Sequence, residues 1–138
     1  MLIRIFFLIL FAFLTACSGV QYKQPSDSQN SAELYVDGGI YVNSFSDEGC
    51  YSGRTFVEKN IKLHANKETF LAYDIENAYE VCRVMFSFVP EKNMKYQVRG
   101  KKAGSRCSIS IEQIGSLTPV ITTQLHLHQT GIACIKFE

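Results

Sequence analysis

Five cysteines, three histidines and a run of lysines and arginines carry what chemistry this chain can offer. Cys50, Cys82, Cys107 and Cys134 follow one another at spacings of 32, 25 and 27 residues. None of these makes the C-x-x-C pair that brings two thiolates onto a zinc ion or into a thioredoxin-type redox site. An even set of such cysteines in an exported domain reads as two disulfides. His126 and His128 alternate as in a strand, which sets two imidazoles on one face about 6.5–7 Å apart at Cα. That separation suits two ligands of a zinc or copper ion, with His64 as a conceivable third. No spacing fixes the third ligand, so the pair reads first as solvent-facing neighbours of Thr122 and Gln124, and no metal or other cofactor is expected. Lys92, Lys95, Arg99, Lys101, Lys102 and Arg106 crowd 15 residues that contain no acid. Such a patch offers contacts to lipid headgroups, lipopolysaccharide phosphates or an acidic protein. Its competing reading is a solvated strand edge, where lysine discourages edge pairing.

Catalysis finds little support. There is no G-x-S-x-G, no H-E-x-x-H and no glycine-rich phosphate loop. Asp74, Glu76 and Glu80 gather without a histidine or nucleophile beside them, and Asp37-Gly38-Gly39 reads as a turn. The expectation is a protein that is not an enzyme.

The N-terminus carries an address. Arg4 precedes a ten-residue apolar run, Ile5 to Leu14, and small residues then lead to Cys17. This is the layout of a signal peptide. The run is too short for a transmembrane helix, which needs about 20 apolar residues. Leu14-Thr15-Ala16-Cys17 resembles the lipobox of bacterial lipoproteins. The resemblance implies cleavage between Ala16 and Cys17, a diacylglyceryl group on the Cys17 thiol and acylation of the new amino end. Two or more acyl chains hold firmly where one holds only marginally. Ser18 follows the cysteine where the enterobacterial sorting rule places Asp for retention at the inner membrane. The implied address is therefore the outer membrane, facing the periplasm. The expected layout is a signal peptide over 1–16, a lipidated cysteine and flexible tether over 17–31, and one domain over 32–138. The polar stretch Ser18–Ser31 would average roughly 20 Å end to end as a free coil.

Removing 16 residues leaves 122, enough for one modest core. Arg4 is the only charge lost, so 14 basic residues become 13 against 13 acidic ones, a formal net of zero. Nothing in that balance attracts nucleic acid.

The elements that must position these residues read as strands. From Glu33 onward the hydrophobic period is two. Cys82, Val84, Phe86 and Phe88 share one face of Tyr79–Val89; Met94, Tyr96 and Val98 share one face of Met94–Arg99. Cys107, Ile109 and Ile111 form a third such set, and Ile121, Thr123, Leu125 and Leu127 a fourth, before Gly131–Phe137 closes the chain. Gly39–Phe45, Arg54–Val57, Ile61–His64 and Phe70–Ile75 are shorter strand candidates. Turn signals at Pro90–Asn93, Lys101–Gly104 and Gly115–Pro119 separate the later strands. The fold class expected is all-β, a small antiparallel β-sandwich or partly open barrel with two disulfides. Phe88-Val89-Pro90-Glu91 followed by Tyr96 is similar to a hairpin of small transthyretin-like or immunoglobulin-like bacterial lipoproteins, in which a proline turn precedes an inward tyrosine.

If Tyr79–Val89 and Met94–Arg99 pair as a meander across Pro90, Cys82 falls opposite about residue 101. If the next hairpin closes at Lys102-Ala103, Cys107 falls opposite about Val98. The two cysteines flank one middle strand, roughly 9–10 Å apart, beyond the 7 Å or so that a disulfide spans at Cα. On that reading Cys82–Cys107 is the least favoured pairing. Cys50–Cys82 with Cys107–Cys134, or Cys50–Cys107 with Cys82–Cys134, remain open. The function expected is a non-enzymatic interaction module bound to the membrane through its lipid, with a protein partner in the cell envelope. The alternatives are a small-ligand or metal-binding domain using His126 and His128, or an inhibitor of an incoming hydrolase.

Overall fold

The computed structural model of the chain describes residues 20–26, 30–76, 81–116, 118–129 and 134–137, with the side chains of 76 and 127–129 outside the described set. Its strands are β1 (Ser31–Val36), β2 (Ile40–Phe45), β3 (Tyr51–Val57), β4 (Asn60–His64), β5 (Thr69–Glu76), β6 (Val81–Phe88), β7 (Lys95–Ala103) and β8 (Arg106–Gln113), followed by the short β9 (Thr123–Gln124), β10 (Leu127–Gln129) and β11 (Ile135–Phe137). They form two open sheets, in the orders β4-β1-β7-β8 and β3-β2-β5-β6-β9, with β10-β11 as a separate ribbon. The architecture is an all-β sandwich, and the barrel alternative falls away.

Period-two patterning builds this arrangement because each sheet must hide one face. Ala32 and Leu34 of β1, Ile61 and Leu63 of β4, Tyr96 and Val98 of β7 and Ile111 of β8 are buried from one side. Ile40 and Val42 of β2, Leu71 and Tyr73 of β5, and Val84, Phe86 and Phe88 of β6 meet them from the other. Each large apolar side chain removed from water here contributes about 1.5–3 kcal/mol before entropy is counted. Two places need glycine. Gly38 and Gly39 turn β1 of one sheet into β2 of the other with φ of 104° and 103°, a region that side chains with a Cβ rarely enter. At Gly100 of β7 a Cβ would stand 2.4 Å from Tyr73 Cε1 and 2.7 Å from Ile75 Cγ1, so the sheets approach closely only without it.

Several expectations are corrected. β6 and β7 do not form a hairpin: they lie in different sheets, and the Val89–Met94 link crosses between them. Pro90 is buried in that crossing, Glu91 N–H donates to the Tyr96 hydroxyl at 2.8 Å, and Tyr96 packs edge-on to Phe88. Instead β7 lies parallel to β1, Leu34 opposite Tyr96 and Val36 opposite Val98, and antiparallel to β8. In that second pair Cys107 sits opposite Lys102, and Val98 opposite Ile111. Cys82 of one sheet and Cys107 of the other therefore face across the sandwich, and they are bonded, with Cα atoms 6.3 Å apart. The pairing disfavoured by the meander is the one formed, because sheet-to-sheet approach replaces the two strand spacings assumed for it. The second bridge joins Cys50 to Cys134, with Cα atoms 5.1 Å apart.

The strand read over Ile121–Leu127 is also broken. Residues 118–120 run beside β8 through Val120 N–H to Ile111 O and Gln113 N–H to Thr118 O, whereas Thr123 and Gln124 pair with β6. Ile121, at the change of partner, is 92% exposed. Ser31–Val36 is a strand in the interior of its sheet, so Ser31 belongs to the domain and not to the expected tether.

Candidate functional site

Strand directions give the sandwich two ends. The Ser46–Cys50, Ala65–Glu68 and Val89–Met94 links gather at one end, and the turns at Asp37–Gly39, Glu58–Lys59 and Gly104–Ser105 lie at the other. The first described residues reach the first, or near, end. Val20 N–H donates to the Ser52 carbonyl at 3.2 Å, at the start of β3.

Residues 20–24, within the stretch read as a free coil, lie against the domain. Tyr22 N–H donates to Thr55 Oγ1 at 2.7 Å, and its hydroxyl donates to the Lys62 carbonyl at 3.3 Å. That hydroxyl accepts from His64 N–H at 3.2 Å, while Lys62 N–H donates to Gln24 Oε1 at 3.2 Å. The Tyr22 ring stands edge-on to His64, and His64 Nε2 lies 3.0 Å from the Lys23 carbonyl. These bonds satisfy groups of β3 and β4, the adjacent edge strands of the two sheets. The segment therefore closes that flank of the sandwich. Burial pushes the Tyr22 phenol above its ordinary pKa, and the hydrogen bond from His64 opposes the shift. Tyr22 was the residue missed; the signal was an aromatic in an otherwise polar stretch. Ala16 and Cys17 lie outside the described residues.

The basic run divides. Lys92 is exposed in the near-end link, and Lys95 pairs with Glu33 at 3.3 Å. The Tyr35 hydroxyl and Lys95 together hold the Glu33 carboxyl below its usual range. Arg99, Lys101 and Arg106 share the outer face of the β7–β8 hairpin with Ser108 and Ser110: Arg99 lies at mid-strand, donating to Gln97 Oε1 at 3.0 Å, and Lys101 and Arg106 lie toward the far end. Among the described residues these three have no carboxylate partner. Lys102 projects to the other face, half-buried and next to Cys107 in register.

The remaining candidates separate. His64 is held by the Tyr22 segment; His126 is exposed on the link between β9 and β10, outside any strand. The His128 side chain lies outside the described residues, as does Glu80 and the side chain of Glu76. Among the described residues no group of three or more His, Cys, Asp and Glu is placed to hold a metal ion. Asp74 is engaged by Arg83 through two contacts of 2.6 Å, and this carboxylate raises the guanidinium pKa. Arg83 and Arg54 also stand over the Tyr41 ring, at 5.6 and 4.4 Å from its centroid. A cleft of about 730 Å³ opens at the near end between the Tyr22 segment and the rings of Phe45, Phe70 and Phe137. Lys23, Lys67 and Lys136 share its lining with Asp47 and Glu68, so the cleft carries both signs of charge.

No family model, curated protein or solved structure matches this chain. Among the described residues no helix is long and apolar enough to cross a membrane. The described residues thus hold a docked segment at one end, three outer-face cations without a carboxylate partner on the β7–β8 hairpin, and two covalent staples.

Proposed function

We propose that this chain is a lipoprotein of the bacterial outer membrane whose β-sandwich serves as a non-enzymatic interaction module facing the periplasm. The lipobox-like Leu14-Thr15-Ala16-Cys17 carries the reading, with Cys17 as the lipidated residue. Two disulfides fit an oxidising compartment. The docked segment adds a mechanical rationale. Val20, three residues after Cys17, is already bonded to β3, so the anchor lies within about 11 Å of the near end even with that link fully extended. A domain on so short a tether meets the membrane with one end and presents the other to the periplasm.

The test is replacement of Cys17 by Ser in cells fed labelled palmitate. The native chain should incorporate label and sediment with membranes. The variant should lose both while keeping its disulfides. Unlabelled native protein, or a variant that stays membrane-bound, rejects the anchor.

A further inference from the structure

We infer that the far half of the β8 edge is a docking strand for an extended, acidic segment of a partner protein. This deepens the reading of the chain as an anchored interaction module and rests on it for the identity of the partner's compartment. Backbone alternation makes the edge explicit. Ile111 C=O and Gln113 N–H point away from β7, because they bond Val120 and Thr118. With a period of two, the N–H and C=O of Cys107 and Ile109 and the N–H of Ile111 point the same way. Among the described residues these five groups have no partner.

Several other edge stretches are covered. The Tyr22 segment caps groups of β3 and β4, and residues 118–120 cover the near half of β8. The far half of β6 is likewise unpaired on its outer side among the described residues, but its Arg83 is already engaged by Asp74, whereas the far half of β8 is flanked by Arg99, Lys101 and Arg106, none of which has a carboxylate to meet among the described residues. Charge on an edge repels most strands, but a strand bearing carboxylates reverses that sign. Main-chain bonds then supply the pairing, and charge supplies the selection. Carboxylates on alternate residues would lie over Ser108 and Ser110, within reach of the three cations. The intervening side chains would meet half-buried Ile109 and the Cys82–Cys107 bridge. Position favours a protein over lipid: β7 runs nine residues from Lys95 at the near end to Ala103, roughly 27 Å of strand. The hairpin tip is thus turned away from the end where Val20 enters.

The experiment titrates the full chain, purified from whichever fraction holds it, with the capped peptide Val-Glu-Thr-Glu-Val-Glu-Thr while amide exchange is followed. Exchange at Cys107, Ile109 and Ile111 should slow at least tenfold. Affinity should fall at least tenfold in the Lys101→Glu/Arg106→Glu variant, and likewise when alternate peptide amides are N-methylated, an arm that leaves the protein unaltered. The proposal is overturned if a Lys-for-Glu peptide binds equally well, if protection appears elsewhere or nowhere, or if phosphatidylglycerol vesicles protect these amides and the peptide does not. It is equally overturned if the amides become protected by self-association without peptide. Fractionation of the Cys17→Ser variant tests the anchor separately, so either result can fail alone.

Discussion

Replacing Cys82 and Cys107 together by Ala, and in a second variant Cys50 and Cys134, tests the sheet-to-sheet arrangement quantitatively. The bridges close chain separations of 25 and 84 residues. In the chain-entropy treatment these restrict the unfolded state by about 3.5 and about 4.6 kcal/mol at 25 °C. Engineered and native bridges often deliver less, so losses of about 2–4 kcal/mol are expected, the larger for Cys50/Cys134. For a domain of this size each kcal/mol lowers Tm by roughly 3–6 °C. Non-reducing peptide mapping of the native chain comes first, and denaturant midpoints of the two variants follow. The Cys82→Ala single variant should expose one free thiol, on Cys107, and keep the Cys50–Cys134 peptide intact. Mapping that joins Cys82 to Cys50 or to Cys134 refutes the crossing of the Pro90 link between sheets. A Cys82/Cys107 variant that loses more stability than the Cys50/Cys134 variant refutes the loop-length reasoning.

Three further predictions concern the docked segment, the buried phenols and the close approach of the sheets. Tyr22→Phe removes one hydrogen bond given and one accepted, each about 0.5–1.5 kcal/mol net; amide exchange at Val20 and His64 should accelerate while the core amides hold. Because burial raises the Tyr22 and Tyr96 phenols above 10.0, the unfolded chain releases its protons first as pH climbs. Stability present below pH 10 should therefore fall above it, less steeply in Tyr22→Phe, and an alkaline midpoint series checks the slope. Gly100→Ala places a methyl against Tyr73 and Ile75 and should cost about 1–3 kcal/mol, as overpacking does; a Tm unchanged from the native chain contradicts the spacing described for the two sheets.

Much of the fold was legible in the sequence, and the reason is local. A strand with one buried face writes a period of two into its residues, so Val84, Phe86 and Phe88, or Tyr96 and Val98, announced themselves without neighbours. Turn chemistry at Gly38-Gly39 and around Gly104 likewise acts over a few residues. Ser31–Val36 was harder to see because polar Ser31 and Glu33 alternate with Ala32 and Leu34 directly after a polar stretch. Ile121–Leu127 misled for the opposite reason: its alternation is good, yet β8 and β6 compete for successive pieces of it. The basic run was visible as composition, but its division into Lys95 with Glu33 and an outer-face trio depends on which strands are neighbours.

By itself the sequence determined the all-β class and the use of four cysteines as staples. Each of these is a property of residue type and short-range order. Only the tertiary structure decided that the Pro90 link crosses between sheets, that Cys82 therefore meets Cys107, and that Tyr22 closes a flank of the domain. Those outcomes depend on which distant strands share a sheet. Nothing in a period of two distinguishes a hairpin partner from a strand in the facing layer, since both bury the same face.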